Sequence, residues 1–237
     1  MRRGLLAAAV ASVAVVAVAL AAGRGDPSIL ERGPGDRPWV ALTFDADPVG
    51  YDPRIVRTLQ QTRTPATIFV TGRWAEDHAN VVRELAADAL FELESHTYSH
   101  SAFTADCYGL PSVTTRADKQ REVAQATAVL TRLTGVAPRY FRFPGGCFEE
   151  SDLELVAATG QVPLQWDVVS GDAYEHDPAA VARTVVAGVR PGSIVVMHLN
   201  GAPSAPATAE ALERVIPELR RRGFRLVTLR ELLAPRD

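Results

Sequence analysis

The chain has 237 residues, 47% of them hydrophobic and 22% charged, with a formal net charge of −3. That length suits one large domain or two small ones, and the composition is that of an ordinary globular protein with ample apolar material for a core. The slight negative charge and the lack of an aromatic stacking series give no nucleic-acid partner.

In chain order, Arg2 and Arg3 precede an apolar run from Leu5 to Ala22, with small residues Ala19, Ala21 and Ala22 near its end. A positive start, an apolar middle and a small-residue site make residues 1–22 a signal peptide, or an N-terminal membrane anchor if left uncut. Either way the protein is expected outside the cytoplasm. The first 22 residues hold two arginines and no acid, so their removal takes the charge from −3 to −5. Residues 23–37, rich in Gly, Pro and charge, read as a flexible linker, and 38–237 as one folded domain.

From Trp39 the pattern alternates. Trp39–Asp45 is a short apolar run with the look of a buried strand. Asp52-Pro53 is an N-cap followed by proline at the first helical position, opening a helix to about Thr62. Ala66–Thr71 is a second strand, Trp74–Ala87 a helix, Ala89–Glu94 a third strand. After a long loop, a helix over Thr114–Thr134 stops at Gly135. Strand four is Arg139–Phe143, followed by a helix over Glu149–Thr159 and strand five over Val162–Val169. A helix from Asp177-Pro178 leads to strand six, Ser193–His198. The helix Ala207–Arg222 is expected to kink at Pro217, ahead of strand seven, Phe224–Val227. Thr228 with Glu231 forms a capping box for a last short helix. Some seven strand–helix alternations call for parallel strands covered by helices, in a closed barrel or an open doubly wound sheet. The first strand is followed by no Gly-x-Gly-x-x-Gly and no phosphate-binding lysine loop, which disfavours a nucleotide site.

Polar residues gather at the C-terminal strand ends: Asp45, His96, Arg142, Asp167, Asp172 and His198. A barrel puts its active site at that end. His96 and His100 stand four apart; on a helical turn their Cβ atoms would lie about 6 Å apart, close enough to share one ion. The bland alternatives are a solvated loop for the two histidines, a capping role for Asp45, a surface position for Arg142 and a core position for His198.

Five motifs fall in register on alternating elements: Thr43-Phe44-Asp45-Ala46-Asp47-Pro48, His96-Thr97-Tyr98-Ser99-His100, Phe141-Arg142-Phe143-Pro144-Gly145-Gly146, Trp166 to Asp172, and Ile194 to His198. Over roughly residues 38–233 the chain resembles the polysaccharide deacetylase family, the NodB-homology domains of carbohydrate esterase family 4. The resemblance implies an α/β fold, a distorted, TIM-like (β/α)7 barrel in a single domain. It also implies a hydrolase that removes acetyl groups from acetylated polysaccharide or oligosaccharide with a divalent metal. Zinc is the usual ion; cobalt, nickel and manganese suit the same ligands. By motif position, Asp45 matches the catalytic base, Arg142 the arginine that orients it and His198 the catalytic acid. Asp172 matches the carboxylate that tunes His198, with Asp167 as competitor and more readily structural. His96 and His100 match metal ligands. Tyr98, Phe143, Pro144, Gly145 and Val196 are placed to line the substrate groove, although a strand valine is equally explained as core.

Two departures stand out. The family's first motif usually reads Thr-Phe-Asp-Asp-Gly, with the second Asp on the metal; here Ala46 holds that position and Asp47 follows it. On an unbent strand Asp47 shares the face of Asp45, so Asp47 is the expected replacement ligand; the alternative is a site of two histidines with weak metal binding. Ala173 stands where a Trp commonly follows the fourth-motif Asp, opening the groove. Cys107 and Cys147 are expected to form a disulfide in an exported protein, the alternatives being two buried thiols or extra metal ligands. The competing functions are hydrolysis of a non-sugar amide and a metal-free carbohydrate- or wall-binding protein.

Overall fold

A computed structural model describes residues 28–235; the signal peptide or anchor expected over residues 1–22 lies outside them. The elements are β1 (Trp39–Ala46), α1 (Pro53–Gln61), β2 (Ala66–Val70), α2 (Gly72–Asp77), α3 (Ala79–Ala87), β3 (Phe91–Ser95), α4 (Arg116–Thr134), β4 (Tyr140–Phe141), α5 (Glu150–Ala157), β5 (Val162–Pro163), β6 (Val168–Val169), α6 (Pro178–Gly188), β7 (Ile194–His198), α7 (Thr208–Arg221), β8 (Arg225–Leu226) and α8 (Leu229–Leu232). The strands pair in parallel in the order β5-β4-β3-β2-β1-β7-β6, and β8 joins the start of β1. This is a distorted, curled (β/α) barrel in one domain.

The expected fifth strand is two short ones. Val162 and Pro163 pair with β4, whereas Val168 and Val169 pair with β7. One stretch of chain thus touches both ends of the sheet and closes it. The lower part of that seam is stitched by Leu30: its N–H bonds Pro163 O at 3.1 Å and its carbonyl accepts from Gln165 N at 2.8 Å. Arg32 bridges Ser193, and Gly33 N bonds Gly192 O at 2.8 Å. From Leu30 onward, the stretch read as a linker is therefore a hydrogen-bonded part of the barrel.

Two helical expectations differ in detail. The helix expected over Trp74–Ala87 is broken at His78, which leaves helical backbone at φ −118° and ψ 35°, giving α2 and α3. Pro217 lies inside α7, which runs on to Arg221. The local signals at other ends act as caps: Asp52 accepts from Arg54 N, Asp177 from Ala179 N, and Thr228 and Glu231 form a reciprocal box.

Alternation along β1 sorts its side chains into two layers. Val40, Leu42, Phe44 and Ala46 join the apolar layer between sheet and helices. Ala41 faces inward with Phe69, Tyr140, Leu164 and Ile194. Leu229 and Leu232 of α8 enter this inner cluster from the end where strands begin, with Leu229 N bonded to Thr67 Oγ1 at 2.9 Å. The base of the barrel is thus filled, and the inward polar residues collect at the other end.

Candidate active site

Asp45 ends β1, His96 follows β3, Arg142 follows β4, Asp172 follows β6 and His198 ends β7. Side by side in the sheet, Asp45 is paired in register with His198. Arg142 is fully buried; its guanidinium donates to Asp45 Oδ1 at 2.6 Å and to Thr43 Oγ1 at 2.8 Å. It lies 3.9 Å from the Phe69 ring centroid and 5.4 Å from that of Trp166, so its plane is clamped by aromatic faces as well as by hydrogen bonds. Burial pulls the guanidinium below its usual range, and the Asp45 charge works against that. Asp45 Oδ2 is left facing His96 Nε2 at 3.7 Å.

His96 and His100 meet without a helix. Thr97 and His100 take left-handed backbone, φ 63° and 64°, which folds the intervening residues into a tight loop and brings the ring centroids within 5.1 Å. The helical turn anticipated from their spacing is therefore not how they converge. The loop is gripped by Glu122 of α4, whose carboxylate accepts from Tyr98 N at 2.9 Å, Ser99 N at 2.8 Å and Ser99 Oγ at 2.7 Å.

Asp47, His96 and His100 each aim one ligand-type atom at a common point, all within 4.8 Å of one another. His96 Nδ1 lies 2.9 Å from Arg142 O; a carbonyl only accepts, so that nitrogen carries the proton and Nε2 turns its lone pair inward. Burial holds the His96 pKa below the ordinary value despite the pull of Asp45, which keeps the ring neutral as a ligand must be. Asp47 Oδ1 stands 3.2 Å from His100 Nε2 and 3.6 Å from His96 Nε2, buried and without a hydrogen-bond partner. Burial raises the Asp47 carboxyl, but the three surrounding histidines and Asn200 outweigh it and hold it below the usual carboxylate range. An ionised oxygen facing an imidazole lone pair, with no donor between, is a site that fits a divalent cation.

On the other side, His198 donates from Nδ1 to Asp172 Oδ1 at 2.8 Å. Asp172 also accepts from Thr208 Oγ1 at 2.7 Å and Ser170 Oγ at 2.9 Å. Burial pushes the His198 ring down, but Asp172, with Asp47 and Asp45 behind it, raises it to about 10. The Asp172 charge therefore favours the protonated ring.

Of the groove residues, Tyr98 and Phe143 are corrected. Tyr98 turns outward onto α2, its hydroxyl bonded to Glu76 at 3.0 Å with Arg73 over its ring, because the left-handed Thr97 swings it off the inner side. Phe143 has no exposed surface and packs edge-on to Phe141 and Phe103. Pro144 is buried, and its carbonyl faces Cys107; Gly145 sits at the turn with φ 63°. Val196, 5% exposed, precedes His198 by two on β7 and so shares its face. Asp167 accepts from Ile194 N at 2.8 Å and Ser193 Oγ at 3.0 Å, at the start of β7, away from His198 at its end. Cys107 and Cys147 are joined in a disulfide, Cα–Cα 6.1 Å, tying the loop after His100 to the turn after Arg142. Asn200 and Glu122 touch the site and were not singled out from the sequence. Asn200 lies two residues past His198, beyond the end of β7; Glu122 sits mid-helix, with no local signal.

A parallel barrel with a carboxylate–imidazole cluster at its C-terminal rim defines an α/β-barrel protein with a candidate cation site, Asp47, His96 and His100, beside Asp45 and the His198–Asp172 pair. A family profile described as polysaccharide deacetylase matches residues 32–163. The chain belongs to this family, the NodB-homology domains of carbohydrate esterase family 4. It is 30% identical over 198 residues to a peptidoglycan-N-acetylglucosamine deacetylase of Bacillus cereus, covering 83% of this chain and 69% of that one. It is 32% identical over 198 residues to a chitooligosaccharide deacetylase of Sinorhizobium fredii, covering 79% and 88%. Its fold matches the crystal structure of the Bc1960 peptidoglycan N-acetylglucosamine deacetylase with TM-score 0.78 and 27% identity, covering 88% and 94%.

Proposed function

We propose that the protein is an exported, metal-dependent hydrolase that removes acetyl groups from an acetylated glycan, with N-acetylglucosamine polymers of the cell wall as the first substrate class. The observation that carries it is the unpartnered, buried Asp47 Oδ1 facing two imidazoles, with Asp45 and His198 flanking the same point. The relatives' peptidoglycan and chitooligosaccharide activities support the substrate class. The basic and apolar leader together with the Cys107–Cys147 disulfide supports export.

Asp47, His96 and His100 are the residues that would hold the ion. When bound, a divalent cation supplies a Lewis acid for the acetyl oxygen and makes water a better acid, to a pKa of about 7 for zinc. Asp45 Oδ2, free while Arg142 holds Oδ1, takes the proton from the attacking water. Arg142 fixes the direction of that carboxylate and, being held by Thr43 and the aromatic clamp, does not move with it. His198, charged and held by Asp172, carries the proton that the leaving nitrogen or oxygen needs. Val196, on the face of His198, is placed to present an apolar side chain to the acetyl group.

The test is acetate release from peptidoglycan, N-acetylglucosamine oligomers and acetylated xylan, before and after chelation and on readdition of zinc or cobalt. Acetate release that chelation abolishes and metal restores is the expected result. A wild-type protein that holds no metal and releases no acetate overturns the enzyme and leaves a wall-binding barrel. Release only from a non-sugar amide overturns the substrate class.

A further inference from the structure

Each aspartate of the first motif has one oxygen pinned and the other aimed at His96. Arg142 pins Asp45. For Asp47 the pin is Asn200, a residue with 2% exposure just beyond β7. Its Nδ2 donates to Asp47 Oδ2 at 2.9 Å, and its Oδ1 accepts from Asp47 N at 3.0 Å. The two bonds close a ring between one amide and one aspartate, leaving the carboxylate no freedom to rotate about its axis. Oδ1 then faces His96 and His100 with no other partner.

The chemistry of the pin matters. An amide fixes Asp47 without adding charge, so the carboxylate keeps its full pull on a cation; a lysine or arginine here would compete with the ion. The surrounding backbone holds Asn200 in turn. Leu199 N bonds Asp45 O at 2.8 Å, and Asp52 N bonds Leu199 O at 2.9 Å, so the loop after β1 and the loop after β7 are one hydrogen-bonded unit. Gly50 makes room for it, since a Cβ there would meet Asn200 O at 2.8 Å.

We infer that Asn200 is the positioning residue that turns Asp47 into a metal ligand in place of the one missing at Ala46. This rests on the reading of Asp47, His96 and His100 as the metal site. The test is metal affinity of the full-length protein by zinc competition with a chromophoric chelator, together with the cobalt absorption spectrum and thermal melts with and without metal. Asn200→Ala is expected to weaken zinc about 10- to 100-fold, alter the cobalt spectrum and shrink the metal-induced rise in Tm. A merely structural role would lower Tm equally with and without metal and leave affinity within twofold, and that result overturns the inference. Asn200→Asp, nearly the same shape but without the Nδ2 donor, carries the test if the alanine variant does not fold; it is expected to lose affinity at least tenfold, and wild-type affinity overturns the inference. Failure of the underlying reading looks different: wild type binds no metal, or Asp47→Ala binds it as well as wild type does.

Discussion

His198 and Asp172 are joined twice: Asp172 Oδ1 takes the ring Nδ1–H and Oδ2 takes the backbone N–H of the same histidine, each at 2.8 Å. The second bond fixes where the carboxylate sits, so the first fixes the ring. The histidine pKa, raised to about 10, follows from that fixed charge working against burial. In the role proposed for His198 as the acid, activity requires the protonated ring and is expected to fall as pH rises through its pKa. Asp172→Asn removes the attraction and is expected to move the alkaline limb of the kcat/KM profile down by about 1–3 pH units at equal metal occupancy, with the acid limb unchanged. The same histidine adds stability that is full below its ordinary 6.5 and lost as pH rises toward 10, so urea melts at the two ends should differ more in wild type than in the variant.

The roles proposed for Asp45 and Asp47 are separable. Asp45→Asn is expected to lower kcat about 10²- to 10⁴-fold while leaving zinc affinity within a few-fold, because its Oδ1 is taken by Arg142 and its role is proton transfer. Steady-state kinetics beside zinc titration reads both. A loss of affinity as deep as the loss of rate would make Asp45 a ligand instead.

Restoring the family's usual second aspartate should fail. Ala46 is fully buried in the apolar layer between sheet and helices, so its side chain lies on the far side of β1 from His96 and His100. Ala46→Asp is expected to destabilise by about 3–5 kcal/mol, as an uncompensated buried charge does, with no gain in zinc affinity. Denaturant melts and zinc titration check the two halves.

Lys119 is the only lysine in the chain and is 4% exposed. It meets both oxygens of Asp152 at 2.8 and 2.9 Å, joining α4 to the N-terminus of α5. Lys119→Met should cost about 3–5 kcal/mol, because it leaves the buried Asp152 charge with only the Glu149 N–H of the α5 capping box, and the double variant with Asp152→Leu, which also loses that cap, should recover part of it. Urea midpoints of the three proteins decide it.

The barrel was legible because its strands carry period-two or all-apolar runs and its helices carry their own caps, all local signals. The reactive residues were legible as ends of those runs. What escaped needed backbone turns that spacing does not encode. Tyr98 stands between two histidines, where a groove residue is expected, yet the left-handed Thr97 before it sends it outward. Phe143 follows Arg142 directly, and with the arginine turned inward the phenylalanine turns into its own aromatic cluster. The split of strand five arises because one stretch serves two edges of a closing sheet, a demand set by the whole barrel. Asn200 lies past the end of β7, where strand alternation no longer applies; Glu122, 22 residues past His100, reaches the loop only through the packing of α4.

Leu229 and Leu232 join the inner apolar cluster at the end where the strands begin, so that end of the barrel is closed by side chains. Small molecules are therefore expected to reach and leave the carboxylate–imidazole cluster by the rim where the strands end.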